Sequence, residues 1–110
     1  MAIVIMVETP DKETQEAPFF GEMTIGRSSK ADFQINDDSA LSSIHCKITT
    51  KKDGKIHFED LNSSNGSFFN SQKIKEMDLK VGDVITIGRS LLYIDQKRLS
   101  SKETLVIGKS

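Results

Sequence analysis

One cysteine, two histidines, two prolines and no tryptophan occur in 110 residues. Each scarcity excludes something. With Cys46 alone there is no internal disulfide, and with only His45 and His57 beside it there is no ligand set for a zinc ion. No metal and no cofactor is expected. Cysteine used so sparingly fits a reducing compartment, so the chain reads as cytoplasmic. Long apolar runs are missing as well. Residues 2–7 (Ala-Ile-Val-Ile-Met-Val) are apolar, but no basic segment precedes them and they are far too short to cross a bilayer, so they read as a first β-strand and no membrane partner is expected. Nor is there a surplus of positive charge. Fifteen Lys and Arg against sixteen Asp and Glu give a net charge of −1, which argues against a nucleic-acid partner.

Helical periodicity is nearly absent, and what replaces it is a series of short apolar runs broken by turn residues. That is the pattern of an all-β sandwich. The length suits one domain with a core that needs no cross-link. The domain is expected over residues 1–95, with 96–110 as a linker or short helix leading toward a further domain of a longer protein. Residues 8–18 read as an exposed loop. Phe19 to Ile25 form a strand ending at Gly26-Arg27, and Phe33 and Ile35 mark another. Residues 36–43 form a long polar loop. Ile44, Cys46 and Ile48 then share one face, with Lys47, Thr49 and Lys51 on the other. Asp53-Gly54 offer the positive-φ pair of a tight hairpin, and Ile56 and Phe58 alternate on the return strand. Asn62 to Gly66 is a further polar loop before Phe68-Phe69. Residues 84–87 and 91–94 form a closing hairpin around Gly88-Arg89-Ser90. Lysines 47, 51, 52 and 55 read as a solvated face.

Thr24-Ile25-Gly26-Arg27-Ser28 reappears as Thr86-Ile87-Gly88-Arg89-Ser90. Nothing around the two pentamers matches, so both read as strand ends where glycine permits a sharp turn.

Three loops hold the suspicious polar residues: Gly26-Arg27, then Ser42-Ser43-Ile44-His45, then Ser64-Asn65-Gly66. Loops at one end of a sandwich converge even when they are distant in sequence. Together these supply what a phosphate group needs: a guanidinium fork, hydroxyls and turn amides. A serine near a histidine also invites a hydrolase reading. Against it, Ser42 and His45 share one short segment, there is no Gly-x-Ser-x-Gly elbow, and no acid is placed to orient the histidine. No enzyme activity is expected.

The ordered set Gly26-Arg27, Ser42-x-x-His45 and Asp60-Leu61-Asn62-Ser63-Ser64-Asn65-Gly66, followed by Ser67-Phe68-Phe69-Asn70 and by Gly82 to Gly88, resembles the forkhead-associated (FHA) domains. The resemblance runs from about Met23 to Ile94. It implies a β-sandwich that binds phosphothreonine in a partner protein, downstream of a Ser/Thr kinase, as the regulatory domain of a larger signalling protein. It implies that Arg27 binds the phosphate and that Ser42 donates its hydroxyl to the same group. Ser64 would help enclose the phosphothreonine, and Asn65 would hold the adjoining peptide main chain. His45 would brace the loops from below, while Gly26 and Gly66 would permit the turns. Ser43 stands where many members carry Arg or Asn that touches the ligand, so it joins the binding set with a shorter reach. Cys46 replaces a commoner alanine, as a half-buried thiol without a redox role. The alternative is a degenerate module that binds a partner, or self-associates through its sheet, without phosphate. Thr9, Thr14 and Thr104 read as accessible to a kinase, and Thr104 as the best placed for self-recognition of a phosphorylated terminal segment.

Overall fold

Strands of alternating apolar and polar residues bury one face each, and here they do so against one another. The structure, a computed structural model, describes residues 2–97 apart from 12, 18 and 20. Eleven strands are formed among the described residues: β1 Ala2–Glu8, β2 Thr14–Ala17, β3 Glu22–Gly26, β4 Phe33–Gln34, β5 Cys46–Thr50, β6 Ile56–Asp60, β7 Ser67–Phe69, β8 Gln72–Ile74, β9 Glu76–Leu79, β10 Val84–Ile87 and β11 Ser90–Lys97. One sheet has the order β2-β1-β11-β10-β7-β8 and the other β4-β3-β5-β6-β9. Of the pairings described, only β3 with β4 is parallel.

The core lies between the sheets. Ile5 and Val7 of β1, Leu92 and Ile94 of β11, and Ile85 and Ile87 of β10 face Met23, Ile25, Cys46, Ile48 and Phe58 of the second sheet, all buried. Burying each of the larger apolar side chains contributes roughly 1.5–3 kcal/mol. On the outer face of the second sheet Lys47 pairs with Glu22 at 3.7 Å and Lys51 with Asp78 at 3.3 Å, as a solvated face requires.

The all-β sandwich is as expected, but four local expectations change. The segment 8–18 is not wholly a loop, because Thr14–Ala17 pair with β1 and bring Ala17 into the core. One apolar residue in four leaves no alternation to read. Thr9 is not accessible: it is buried, and its hydroxyl bonds Asp11 and the Glu13 carbonyl. The Asp53-Gly54 turn is also different. Gly54 alone takes positive φ (88°), after a Gly54 N–H to Lys51 carbonyl bond of 2.9 Å and beside a Lys51 N–H to Lys55 carbonyl bond of 2.8 Å. This is the three-residue hairpin loop with a terminal left-handed glycine. Strands β8 and β9 are additional. They sit at the edges of opposite sheets, and the chain changes sheet between them at Lys75.

β11 continues past Asp95 because its backbone pairs with β1 as far as Ala2 opposite Lys97. The other end of β11 begins at the Gly88-Arg89 turn, where Ile87 pairs with Ser90. The rest of the expected tail, including Thr104, lies outside the described residues.

Candidate functional site

Gly26 closes β3, and its lack of a side chain is a matter of space. A Cβ built there would lie 2.0 Å from the Ser43 carbonyl oxygen, and its φ is not in the left-handed region. Thus Gly26 serves a close backbone approach, not the sharp turn expected of it. That approach lets two loops zip together. The Arg27 N–H donates to the Ser42 carbonyl at 3.0 Å, the Ser28 N–H to the Ser43 carbonyl at 3.1 Å, and the Ile35 N–H to the Gly26 carbonyl at 2.8 Å. Arg27 Nε donates to the Leu41 carbonyl at 3.1 Å, which fixes the guanidinium plane. Among the described residues nothing claims its two Nη groups, and Arg27 is exposed.

His45 ties in the third loop. It is fully buried. Its Nδ1 accepts the Ser42 N–H at 3.1 Å, so the proton sits on Nε2, which donates to the Gly66 carbonyl at 3.0 Å. Its backbone donates to Ile25 at 2.8 Å and accepts from Leu61 at 2.9 Å. One residue therefore joins β3, the second loop and the third. Two more bonds cross the same gap: the Ser64 N–H donates to Ser42 Oγ at 2.8 Å, and Asn65 Nδ2 donates to the Ala40 carbonyl at 2.8 Å. Gly66 turns with φ +83°, as expected.

Asp60 anchors the third loop from below. It is buried and accepts from the Ser63 N–H at 3.0 Å, from Ser63 Oγ at 2.6 Å and from Ser67 Oγ at 2.6 Å. Burial opposes its charge, but the bonds from Ser63 and Ser67 outweigh burial and hold the carboxyl below its ordinary range. Its Oδ1 also lies 3.7 Å from His45 Nε2, so an acid does stand by the histidine, contrary to expectation. The trio is still no hydrolytic triad. Ser42 meets the imidazole through its backbone N–H, not its hydroxyl, and both ring nitrogens are taken.

Asp38 is the functional-site residue that sequence reasoning missed. It is fully buried in the second loop. Oδ1 accepts the Ala40 N–H at 3.0 Å, while Oδ2 accepts the Arg89 N–H at 2.8 Å and the Ser90 hydroxyl at 2.7 Å. Its partners stand some fifty residues away, so an Asn-Asp-Asp-Ser stretch offers no local signal beyond a turn. Cys46 is fully buried, not half-buried, and burial followed by the Asp60 charge pushes its thiol far up, which leaves it inert.

The result is a joined rim with Arg27, Ser43, Ser64 and Asn65 exposed, Ser42 half-buried and Gly26, His45 and Gly66 buried beneath. The two carboxylates at its base, Asp38 and Asp60, are bonded inward. The exposed rim residues Arg27, Ser43, Ser64 and Asn65 supply cationic, hydroxyl and amide donors and no carboxylate, which suits an anion of high charge density.

The model of the FHA domain family matches residues 23–88. Vacuolar protein sorting-associated protein 64 of Saccharomyces cerevisiae is 43% identical over 58 residues, half of this chain and 10% of that protein. The FHA domain-containing protein FhaA of Mycobacterium tuberculosis is 36% identical over 75 residues, 67% of this chain and 14% of that one. The matched part thus spans about a tenth to a seventh of these relatives. A solved structure from a structural and functional analysis of phosphothreonine-dependent FHA domain interactions superposes with a TM-score of 0.73 at 27% identity, covering 90% of this chain and all of the other.

Proposed function

The chain belongs to the FHA domain family, and from that premise we propose that it docks onto phosphothreonine in an extended segment of a partner protein, downstream of a Ser/Thr kinase. One observation carries the reading: the Arg27 fork is held in plane through Nε while, among the described residues, both Nη groups stay unclaimed at the seam of three joined loops. The phosphate takes those two donors. Ser42 Oγ already accepts from Ser64, so its own proton is what it gives to the same phosphate. The exposed hydroxyls of Ser64 and Ser43 complete the shell, and Asn65, steadied by Ala40, holds the ligand main chain.

The function is binding without catalysis. Support comes from the engaged imidazole of His45, which leaves no base for a serine. A cytoplasmic setting belongs to the same proposal and is supported by the unpaired, buried Cys46. So does membership of a larger signalling protein, in line with the relatives' length. Self-recognition through Thr104 is best read as acting between copies. The chain leaves β11 at Lys97, and seven residues extend at most ~25 Å, while the seven steps along β11 from Lys97 back to Ser90 already use about 23 Å, which leaves almost no slack for folding back onto its own rim.

The test is a titration with a phosphothreonine peptide library and its unphosphorylated and phosphoserine counterparts. Binding should require phosphate. The threonine methyl should favour phosphothreonine over phosphoserine by about four-fold through burial alone. Equal binding of the unmodified library would establish the phosphate-independent alternative.

A further inference from the structure

Beside the third loop, on the flank formed by β8 and the change of sheet at Lys75, lies an open groove of about 440 Å³ lined by Asp60, Asn62, Ser63, Lys73, Ile74 and Lys75. Its two lysines are not used by anything described so far. The stem of Lys73 runs along Gly66: a Cβ at Gly66 would meet Lys73 Cε at 2.9 Å and Cδ at 3.4 Å. The absent side chain of Gly66 is thus the seat of Lys73, one residue from Asn65. Lys75 reaches the same loop from the other side, donating through Nζ to Asn62 Oδ1 at 3.3 Å. Among the described residues neither ammonium lies within 4 Å of a carboxylate, whereas Lys47 and Lys51 both do. The one carboxylate in the lining, Asp60, is spent on Ser63 and Ser67.

We propose that this groove is a second anion subsite, and that the preferred ligand carries, a few residues from its phosphothreonine, another negative group that Lys73 and Lys75 receive. This rests on the phosphothreonine reading above and narrows the class of ligand. The chemistry is that of an anionic side chain. A glutamate or aspartate supplies it with one charge and a second phosphorylated residue with nearly two. Because the lysines are exposed, each contact is weak and salt-sensitive.

The experiment screens a degenerate peptide library with fixed phosphothreonine against the wild type and against Lys73→Gln/Lys75→Gln, a pair that keeps the stem as far as Cδ and removes the charge. Wild type should enrich acidic residues at one or two flanking positions, and the double variant should lose that enrichment. Individual peptides with glutamate, phosphothreonine or glutamine at the enriched position then tell the two sources apart. The acidic and doubly phosphorylated peptides should bind wild type about 3- to 10-fold tighter than the glutamine peptide. That advantage should shrink at high salt and vanish in the variant, with the phosphate requirement intact. Enrichment that is absent in wild type, or that survives in the variant, overturns the subsite while leaving phosphothreonine recognition standing. Failure of every phosphorylated peptide to bind wild type overturns both.

Discussion

Thr24–Ser28 and Thr86–Ser90 are the same five residues in opposite sheets, and they grip opposite ends of the same loop. The first closes β3 and holds Leu41, Ser42 and Ser43 through backbone bonds and Arg27 Nε. The second turns between β10 and β11 and holds Asp38 through the Arg89 N–H and the Ser90 hydroxyl. Position by position the roles are exchanged. Gly26 is glycine for space and Gly88, at φ +58°, chiefly for its dihedral angle. In the first pentamer the arginine side chain works and the serine is incidental. In the second the arginine contributes its backbone and the serine is buried. A five-residue word therefore has no meaning of its own; the loop it touches supplies it.

The glycines should separate the pentamers most widely. Gly26→Ala forces the Ser43 backbone aside and should destabilise by about 3 kcal/mol or more. Gly88→Ala combines φ strain with a contact at 2.8 Å to Asp38 Oδ2 and should cost about 1–3 kcal/mol. Urea midpoints decide, and equal losses would show that the approach to Ser43 is not what selects Gly26.

Next come the arginines. Arg27→Ala should weaken phosphopeptide binding by roughly 10- to 150-fold, the worth of one charge-assisted contact of about 1.5–3 kcal/mol. Arg89→Ala should change it less than about two-fold, because its engaged atom is the backbone nitrogen. Calorimetry on both variants would invert the assignment if Arg89 proved the sensitive one.

The serines should rank the other way. Ser90→Ala removes a buried donor from Asp38 and should cost about 1–2 kcal/mol of stability. Ser28→Ala touches only an exposed bond to the Lys30 N–H and should stay within ~0.5 kcal/mol. Equivalent melts for the two would mean that Asp38 does not need its hydroxyl partner.

The weakest effect belongs to neither pentamer and sets a background for both. On the outer face of the second sheet, His57 bonds Asp78 through Nδ1 and Glu76 through Nε2, each at 2.8 Å. The Asp78 bond raises its pKa above the ordinary 6.5, with desolvation opposing. This stabilisation is complete below about pH 6.5 and is lost as pH rises through the raised value. His57→Gln should flatten that decline in a pH series of melts without altering the ranking of the pentamer variants.

The sandwich was legible because apolar alternation in β5, β6 and β10 is strong, and the loops because their polar residues are dense and ordered. What stayed hidden shares one property: its cause lies far along the chain. β2 and β8 are polar edge strands defined by partners rather than by pattern, and β9 is an edge strand of four residues, too short for its alternation to stand out. Asp38 is defined by Arg89 and Ser90. The constraint on Gly26 comes from Ser43. The seat of Lys73 is set by Gly66, seven residues earlier. The brace role of His45 came only from the resemblance, and its bonds to the Ser42 N–H and the Gly66 carbonyl are visible only in the fold.

That buried imidazole has a thermodynamic consequence. Because His45 and its neighbours already lock Arg27, Ser42, Ser64 and Asn65 to one another, the loops have little conformational freedom left to surrender when a ligand arrives. The ordering entropy of binding should then fall almost entirely on the peptide. Ligands of one class should consequently arrive at similar rates and differ in how long they stay. Slow amide exchange at Arg27, Ser28, Leu41 and His45 in the free protein would be the mark of a rim set before its ligand comes.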